Sequence, residues 1–286
     1  MRLTVAAALL AAFTLVVGLT RAAGQGLRSE EIAFIGYTGV QYDLFMMDVN
    51  RNFVRQLLDT PDLHESSPVW SPDGTQLAFS ALNDPNQDIY IINAAGVNLR
   101  RLTDDPAGDF NPQWSPDGRQ IAFVSTRGSG DLNLFVMDVD GGSVRQLTED
   151  WRVDRSPAWS PDGTQIAFYS NRDGGGVYLV DADGSNERPL VAGGDFPAWS
   201  PDGTQLAFIS LNRNIYVLDM NSRRQRCLEL EGSQEAVAWS ADGRQLVFMS
   251  YRQGRNAIYA VNADGSDEQF VMNTDFVGSF PVWRPT

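Results

Sequence analysis

The chain of 286 residues contains no lysine, so all 22 of its basic residues are arginines. This absence excludes a Schiff-base lysine and a lysine that clamps phosphate. Histidine and cysteine each occur once, as His64 and Cys227. One histidine is too few for the usual zinc sites, and no Gly-x-Ser-x-Gly motif places a nucleophilic serine. The missing residue types therefore predict that the chain is not an enzyme.

Basic residues are also scarce relative to acidic ones, because 36 Asp and Glu residues leave a net charge of −14. A strongly acidic protein repels nucleic acid and anionic lipid surfaces, so we expect neither as a partner. The lone Cys227 cannot form an intramolecular disulfide, and we expect it to be a buried thiol on a strand.

Long apolar runs are absent except at the start of the chain. Leu3 to Leu19 is uncharged and mostly apolar, and it lies between Arg2 and Arg21. This pattern is typical of a secretory signal peptide over residues 1–23, followed by a linker over 24–28. The run also approaches the length of a membrane-spanning helix, which leaves an uncleaved N-terminal anchor as the alternative. Both interpretations predict a periplasmic or extracellular location.

Tryptophan, in contrast, recurs at regular intervals. Six tryptophans are spaced 44, 45, 40, 40 and 44 residues apart: Trp70, Trp114, Trp159, Trp199, Trp239 and Trp283. Each of the first five is followed by a Ser-Pro-Asp-Gly turn, with alanine replacing proline in the fifth, and then by an apolar run such as Leu77-Ala78-Phe79. A period of this length built from short strands predicts stacked copies of one small β unit.

The two ends of the chain complement each other. The apolar run Ile32-Ala33-Phe34 has no tryptophan before it, and Trp283 has no strand after it. Joining them completes a sixth unit and leaves no unpaired sheet edge. The sequence therefore predicts an all-β, six-bladed β-propeller of four-stranded blades, closed by pairing of the C-terminal strand with the N-terminal strands.

The repeated Pro-x-Trp-Ser-Pro-Asp-Gly segment, with its Ile-Ala-Phe, Ile-Tyr and Asp-x-Asp-Gly segments, resembles the repeat of the TolB-type propeller family over residues 29–286. TolB itself has an α/β domain before its propeller, whereas here only the predicted leader precedes the first blade. The resemblance implies a monomeric scaffold that binds a protein or peptide partner in the cell envelope, with membrane contact only through an uncleaved N-terminal segment.

Acidic residues precede five of the tryptophans at nearly matching positions: Glu65, Asp109, Asp154, Asp195 and Glu235. The first strand of a propeller blade lies nearest the central axis, so we expect these carboxylates to surround the channel mouth. Such a ring is suited to a cation, Ca²⁺ being the one possible cofactor, or to a basic partner.

Arginines offer another interpretation of the acidic ring. Arg127, Arg172 and Arg252 each lie thirteen residues after a tryptophan, where they are placed to pair with these acids and brace the loops. Two blades have Asn83 or Asn212 there instead, and on this basis we expect Asp195 to be unpaired.

Loop residues between the second and third strands, and between blades, form the predicted partner surface. It spans residues 82–88, 103–111, 126–133, 148–156, 171–176 and 191–196. Trp151, Arg152, Phe110 and Phe196 are its candidate contact residues, since exposed aromatic and arginine side chains dominate many interfaces. A cation- or small-ligand-binding sensor that uses the channel, and a hydrolase or lyase, are the alternative functions.

Overall fold

The computed structural model of the chain describes residues 31–83, 85–128, 130–149, 151–274 and 281–285. The predicted leader and linker, residues 1–28, lie outside this part of the chain. Within the described ranges, no helix has the length and apolar character needed to span a bilayer.

Twenty-four strands in these ranges form six antiparallel sheets of four strands each, which are the six predicted blades. Blade one consists of β24 (Val282–Trp283), β1 (Glu31–Tyr37), β2 (Tyr42–Asp48) and β3 (Phe53–Gln56). Blade two consists of β4 (His64–Trp70), β5 (Gln76–Asn83), β6 (Asn86–Asn93) and β7 (Arg100–Arg101). Blade three consists of β8 (Asp109–Trp114), β9 (Gln120–Ser125), β10 (Asn133–Asp138) and β11 (Arg145–Gln146).

The other three blades repeat the same order of strands. Blade four consists of β12 (Asp154–Trp159), β13 (Gln165–Ser170), β14 (Gly176–Asp181) and β15 (Arg188–Ala192), with a 3-10 turn at Arg172–Gly174. Blade five consists of β16 (Gly194–Trp199), β17 (Gln205–Ser210), β18 (Ile215–Asp219) and β19 (Gln225–Cys227). Blade six consists of β20 (Ser233–Trp239), β21 (Gln245–Arg252), β22 (Arg255–Asn262) and β23 (Gln269–Thr274).

The hydrophobic core lies between the blades rather than within any one of them. Each of six apolar clusters joins side chains of two neighbouring blades, and the apolar Ala-Phe runs are almost wholly buried. A four-stranded sheet cannot bury its own apolar faces. Each blade therefore depends on both of its neighbours for its core. This arrangement explains why the apolar runs recur in every repeat.

Closure of the ring takes place as the sequence predicts. Ile32 on β1 pairs with Trp283 on β24, and Ala33 pairs with Val282, which makes the C-terminal strand the first strand of blade one. Trp283 is 5% exposed and packs in the cluster between blades six and one. The predicted fold class and its mode of closure are both confirmed.

The propeller has two unlike ends. We call the end with the Ser-Pro-Asp-Gly turns the turn face. The opposite end, with the hairpins between second and third strands and the connections between blades, is the loop face. First strands of neighbouring blades touch near the loop face, where the Asn111 amide donates to the Ser67 hydroxyl at 2.9 Å. Ser67 and Asn111 both have a positive φ. Each lies in a β-bulge that interrupts the pairing of the first and second strands of its blade.

Candidate functional site

Three of the five predicted carboxylates are buried rather than open to a channel. Glu65 is 1% exposed, while Asp109 and Asp154 are fully shielded from solvent. Each lies on the first strand of its blade just before the bulge, where it pairs with the end of the second strand. At this place an ionised side chain needs a partner, because a buried and uncompensated charge is costly.

Arginines supply that partner for two of these acids. One guanidinium nitrogen of Arg127 donates to both carboxylate oxygens of Asp109, at 2.7 and 2.9 Å. Arg172 donates to Asp154 at 3.0 Å. The predicted bracing of these acids is therefore confirmed. The third arginine, Arg252, forms its ion pair with Glu268 on the same blade instead.

The expectation that Asp195 is unpaired is wrong. A guanidinium nitrogen of Arg155, on the first strand of the preceding blade, lies 2.6 Å from the Asp195 carboxylate. The backbone N–H of Phe196 also donates to this carboxylate, at 2.8 Å. Sequence reasoning considered only arginines within the same blade, and this partner reaches across from the neighbouring blade.

The five carboxylates do not converge as one ligand set. Asp195 and Glu235 stand one residue later in their strands than the buried three, and successive residues of a strand point to opposite sides. Nowhere in the described residues do three carboxylate, histidine or cysteine side chains come together closely enough to hold a metal ion. The predicted common centre for a cation at the channel mouth is therefore not present there.

Glu65 differs from Asp109 and Asp154 because no arginine pairs with it. The Thr60 hydroxyl donates to its Oε1 at 2.9 Å, but Oε2 has no hydrogen-bond partner among the described residues. Burial raises the pKa of the Glu65 carboxyl to about 8, and the nearby charge of Asp43 raises it further. Burial also raises the pKa of Asp43. No ion pair found among the described residues joins an arginine to either of these two acids.

The predicted partner-binding residues differ in accessibility. Trp151 is 75% exposed, and the guanidinium of Arg152 lies 4.9 Å from its ring centre. Phe110 and Phe196 are half-buried and pack against the clusters between blades. Trp151 is therefore open to a partner and Arg152 beside it is half-buried, while the two phenylalanines also contribute to the core. Asp84, Ser129 and Asp150, which belong to the predicted surface, lie outside the described residues.

Sequence reasoning missed several exposed apolar residues on the same face. Tyr37 and Tyr42 flank the hairpin of blade one, with ring centres 5.2 Å apart, and Val40 at its tip is 78% exposed. Leu211 in blade five is 80% exposed, and Tyr251 in blade six is 48% exposed. The available signal is that each lies in or beside the hairpin between the second and third strands, beyond the buried Ala-Phe run.

The residue types that hydrolysis would need are not assembled in the described part of the chain. His64 is exposed at the start of β4, and no hydrogen bond found there joins it to a serine, threonine or cysteine. Cys227 lies at the end of β19, as expected of a strand residue, but it is half-buried rather than buried.

A closed ring of six four-stranded antiparallel sheets defines the class of this protein as a six-bladed β-propeller. Residues 26–131 and 128–286 match the model of the TolB beta propeller domain, and the chain belongs to that family.

Individual relatives show how far the similarity extends. The "Tol-Pal system protein TolB" of Syntrophus aciditrophicus (strain SB) is 33% identical over 83 residues, which are 28% of this chain and only 18% of that protein. The crystal structure of TolB from Acinetobacter baumannii has a TM-score of 0.80 at 21% identity and covers 90% of this chain and 67% of that one. The structure of putative TolB from Agrobacterium tumefaciens has a TM-score of 0.70 at 20% identity, with coverage of 90% and 99%.

Identities this low between solved structures show a shared fold and nothing more. Solved structures similar to this chain also include an oligogalacturonate lyase and a puromycin-hydrolyzing peptidase. The fold by itself therefore does not decide between a binding protein and an enzyme.

Proposed function

We propose that this chain is an exported, non-enzymatic propeller that binds a protein or peptide partner through its loop face. The observation that carries the proposal is the distribution of exposed large apolar side chains. Of twelve such residues in the described ranges, seven lie on the loop face: Tyr37, Val40, Tyr42, Leu82, Trp151, Leu211 and Tyr251. The other five lie on the outer strands or on the turns that lead into them.

Exposed apolar side chains gathered at one end of a molecule are typical of a protein-binding surface. Tryptophan and tyrosine are the residues that most often supply binding energy at interfaces, and three tyrosines and Trp151 lie on this face. The loops that carry them stand on a rigid ring of strands, which holds the contact residues in place before the partner arrives.

Export to the cell envelope is the second part of the proposal. It is supported by the uncharged run from Leu3 to Leu19 between two arginines. It is also consistent with the relative that is named as a Tol-Pal system protein. The absence of lysine and the single histidine support a role without catalysis.

A pull-down from an envelope extract of the source organism tests the loop face. The bait variants are Trp151→Ala and Leu211→Ala on the loop face. Phe53→Ala is the matched control, because Phe53 is 58% exposed but lies on the outer strand β3. We expect a protein that is retained by the wild type and by the control and lost from both loop-face variants. Retention that is unaffected by the loop-face changes, or is lost only in the control, would contradict the proposal.

A further inference from the structure

Two neighbouring blade interfaces carry the same pair of buried carboxylates. At the interface of blades one and two the pair is Asp43 on β2 and Glu65 on β4. At the interface of blades two and three, Asp88 on β6 and Asp109 on β8 occupy the equivalent positions of the repeat. All four side chains are at most 1% exposed.

Only the second of these interfaces contains the compensating arginines. Arg101 lies 2.7 Å from Asp88, and Arg127 lies 2.7 Å from Asp109. In the strand register of blade one, Gln56 holds the position that Arg101 holds in blade two. Asn83 lies as many residues after the phenylalanine of the Ala-Phe run in blade two as Arg127 does in blade three. The first interface thus keeps both carboxylates but has an amide in place of each guanidinium.

The surroundings of Asp43 and Glu65 are rich in oxygen. Gln41 donates its amide N–H to Asp43 at 2.6 Å and to the Thr60 carbonyl at 2.8 Å. The Thr60 hydroxyl donates to Glu65, whose second oxygen is buried without a partner among the described residues. The other titratable groups that act on Asp43 are the Asp59 carboxylate, in the connection that leads into β4, and the His64 imidazole, at the first residue of β4.

We propose that Asp43 and Glu65 bind a Ca²⁺ ion at the interface of blades one and two, in the position that arginine holds at the next interface. Two carboxylates carry two negative charges, which one divalent ion balances. Carboxylate, hydroxyl and carbonyl oxygens are the ligands that Ca²⁺ takes, and it accepts irregular geometry and carboxylates that bind through both oxygens. Mg²⁺ demands a near-ideal octahedron and gives up water reluctantly, so it is less suited to a closed interface.

This site differs from the channel-mouth ring that the sequence suggests, because the two share only Glu65. It is also independent of the proposed function, since it lies between blades and not on the exposed loop surface. In this position the ion links two blades and stabilises the ring near the closing strand β24.

Thermal unfolding and calorimetric titration of the full chain with CaCl₂, after removal of metals by a chelator, test the site. At a calcium concentration about 100 times the Kd, the melting temperature of the wild type is expected to rise by roughly 5 to 10 °C. Glu65→Gln and Asp43→Asn are expected to abolish both the shift and the heat of binding. Glu235→Gln, which removes a half-buried carboxylate from β20, is the control and should respond like the wild type.

Asn83→Arg tests the comparison between interfaces directly. It supplies one of the two guanidinium groups that the first interface lacks, the one that pairs with Asp109 at the next interface, so the folded variant is expected to lose most of its response to calcium. The proposal is overturned if millimolar CaCl₂ gives the wild type neither heat nor a shift. A response that persists in Glu65→Gln and Asp43→Asn, or an undiminished response in Asn83→Arg, also overturns it. A shift with MgCl₂ as large as with CaCl₂ contradicts the assignment to calcium.

Discussion

Glu65 shows how burial changes the charge of a single residue. Its pKa rises from an ordinary value of 4.5 to about 8 because the folded chain shields it from water. Between these two values the folded chain holds a proton that the unfolded chain has released. The unfolding free energy therefore falls as pH rises from about 4.5 to 8.

The matching prediction concerns Glu65→Gln in the presence of a chelator. The neutral amide removes the cost of ionising a buried carboxyl, so the variant should be more stable than the wild type at about pH 9, by up to about 5 kcal/mol. At about pH 5 the two proteins should differ little. Urea unfolding at both pH values is the measurement. The explanation is contradicted if the unfolding free energies of wild type and variant differ by the same amount at acid and alkaline pH.

Pairing within one blade could be predicted from the sequence, whereas pairing between blades could not. A constant spacing from each tryptophan identifies Arg127 and Arg172 as partners of Asp109 and Asp154, because all four follow the same repeat. Arg155 reaches Asp195 across a blade boundary, and that contact depends on how the bulge turns each side chain. The same reasoning identified two blades without the arginine but selected Asp195 over Glu65.

At the scale of elements, the turn that follows the first five of the repeated tryptophans is the most regular feature of the chain. In blade two the Ser71 hydroxyl donates to Asp73 at 2.6 Å, and the Gly74 N–H donates to the Ser71 carbonyl at 2.9 Å. Blade six keeps this geometry, with Ser240 to Asp242 at 2.8 Å, although Ala241 replaces the proline. The hydrogen bonds therefore define the turn, and proline stiffens it.

Ala241→Pro is therefore expected to stabilise the protein. The backbone around residue 241 matches that of the proline-containing turns, and no hydrogen bond found among the described residues uses the Ala241 N–H. Proline restricts the unfolded chain, which should add about 0.4–1 kcal/mol to the unfolding free energy. Chemical denaturation measures the gain, and the reverse change Pro201→Ala in blade five should lose a similar amount. A loss of stability on introducing proline would show that the blade-six turn differs from the others.

An arginine on the outer strand fastens each of several blades to the next. Arg145 of blade three donates to the Asp183 and Ala182 carbonyls of blade four, both at 2.8 Å. Arg55, Arg100 and Arg226 reach the following blade in the same way. The sequence signal is an arginine two residues before a leucine, and it occurs in the outer strands of blades one to five but not in β23 of blade six.

Arg145→Ala should lower the unfolding free energy by about 1 kcal/mol, since it removes two charge-assisted hydrogen bonds from an exposed position. Arg188 has the equivalent place in blade four but bonds within its own blade, to the Asn186 carbonyl and to Asp181. Arg188→Ala is therefore the control for losing an arginine without losing a link between blades. Urea unfolding compares the two, and equal losses would argue against the link.

At the scale of the whole molecule, the fold could be predicted because its information is repeated. The pattern of one blade is repeated in six tryptophans, in the turns that follow five of them and in the apolar runs, so a deviation in one copy does not obscure the pattern. The loop face has no such redundancy, because each hairpin has its own length and residues. Exposed Tyr37, Val40 and Leu211 therefore became visible only when the strand ends were placed.

The closing strand gives the last prediction, because two residue pairs join β24 to β1 among the residues that the structure describes. Trp283 belongs to the apolar cluster that also contains Ile32 and Phe34 of blade one and Val247 and Ile258 of blade six, so it contributes to the interface of both blades. Trp283→Ala should cost about 3–5 kcal/mol, the usual loss for a buried tryptophan. Trp151→Ala, at a 75% exposed position, should change stability by less than about 0.5 kcal/mol. Guanidinium unfolding followed by circular dichroism makes the comparison. If both variants unfold at the same denaturant concentration, the C-terminal strand does not hold the ring closed.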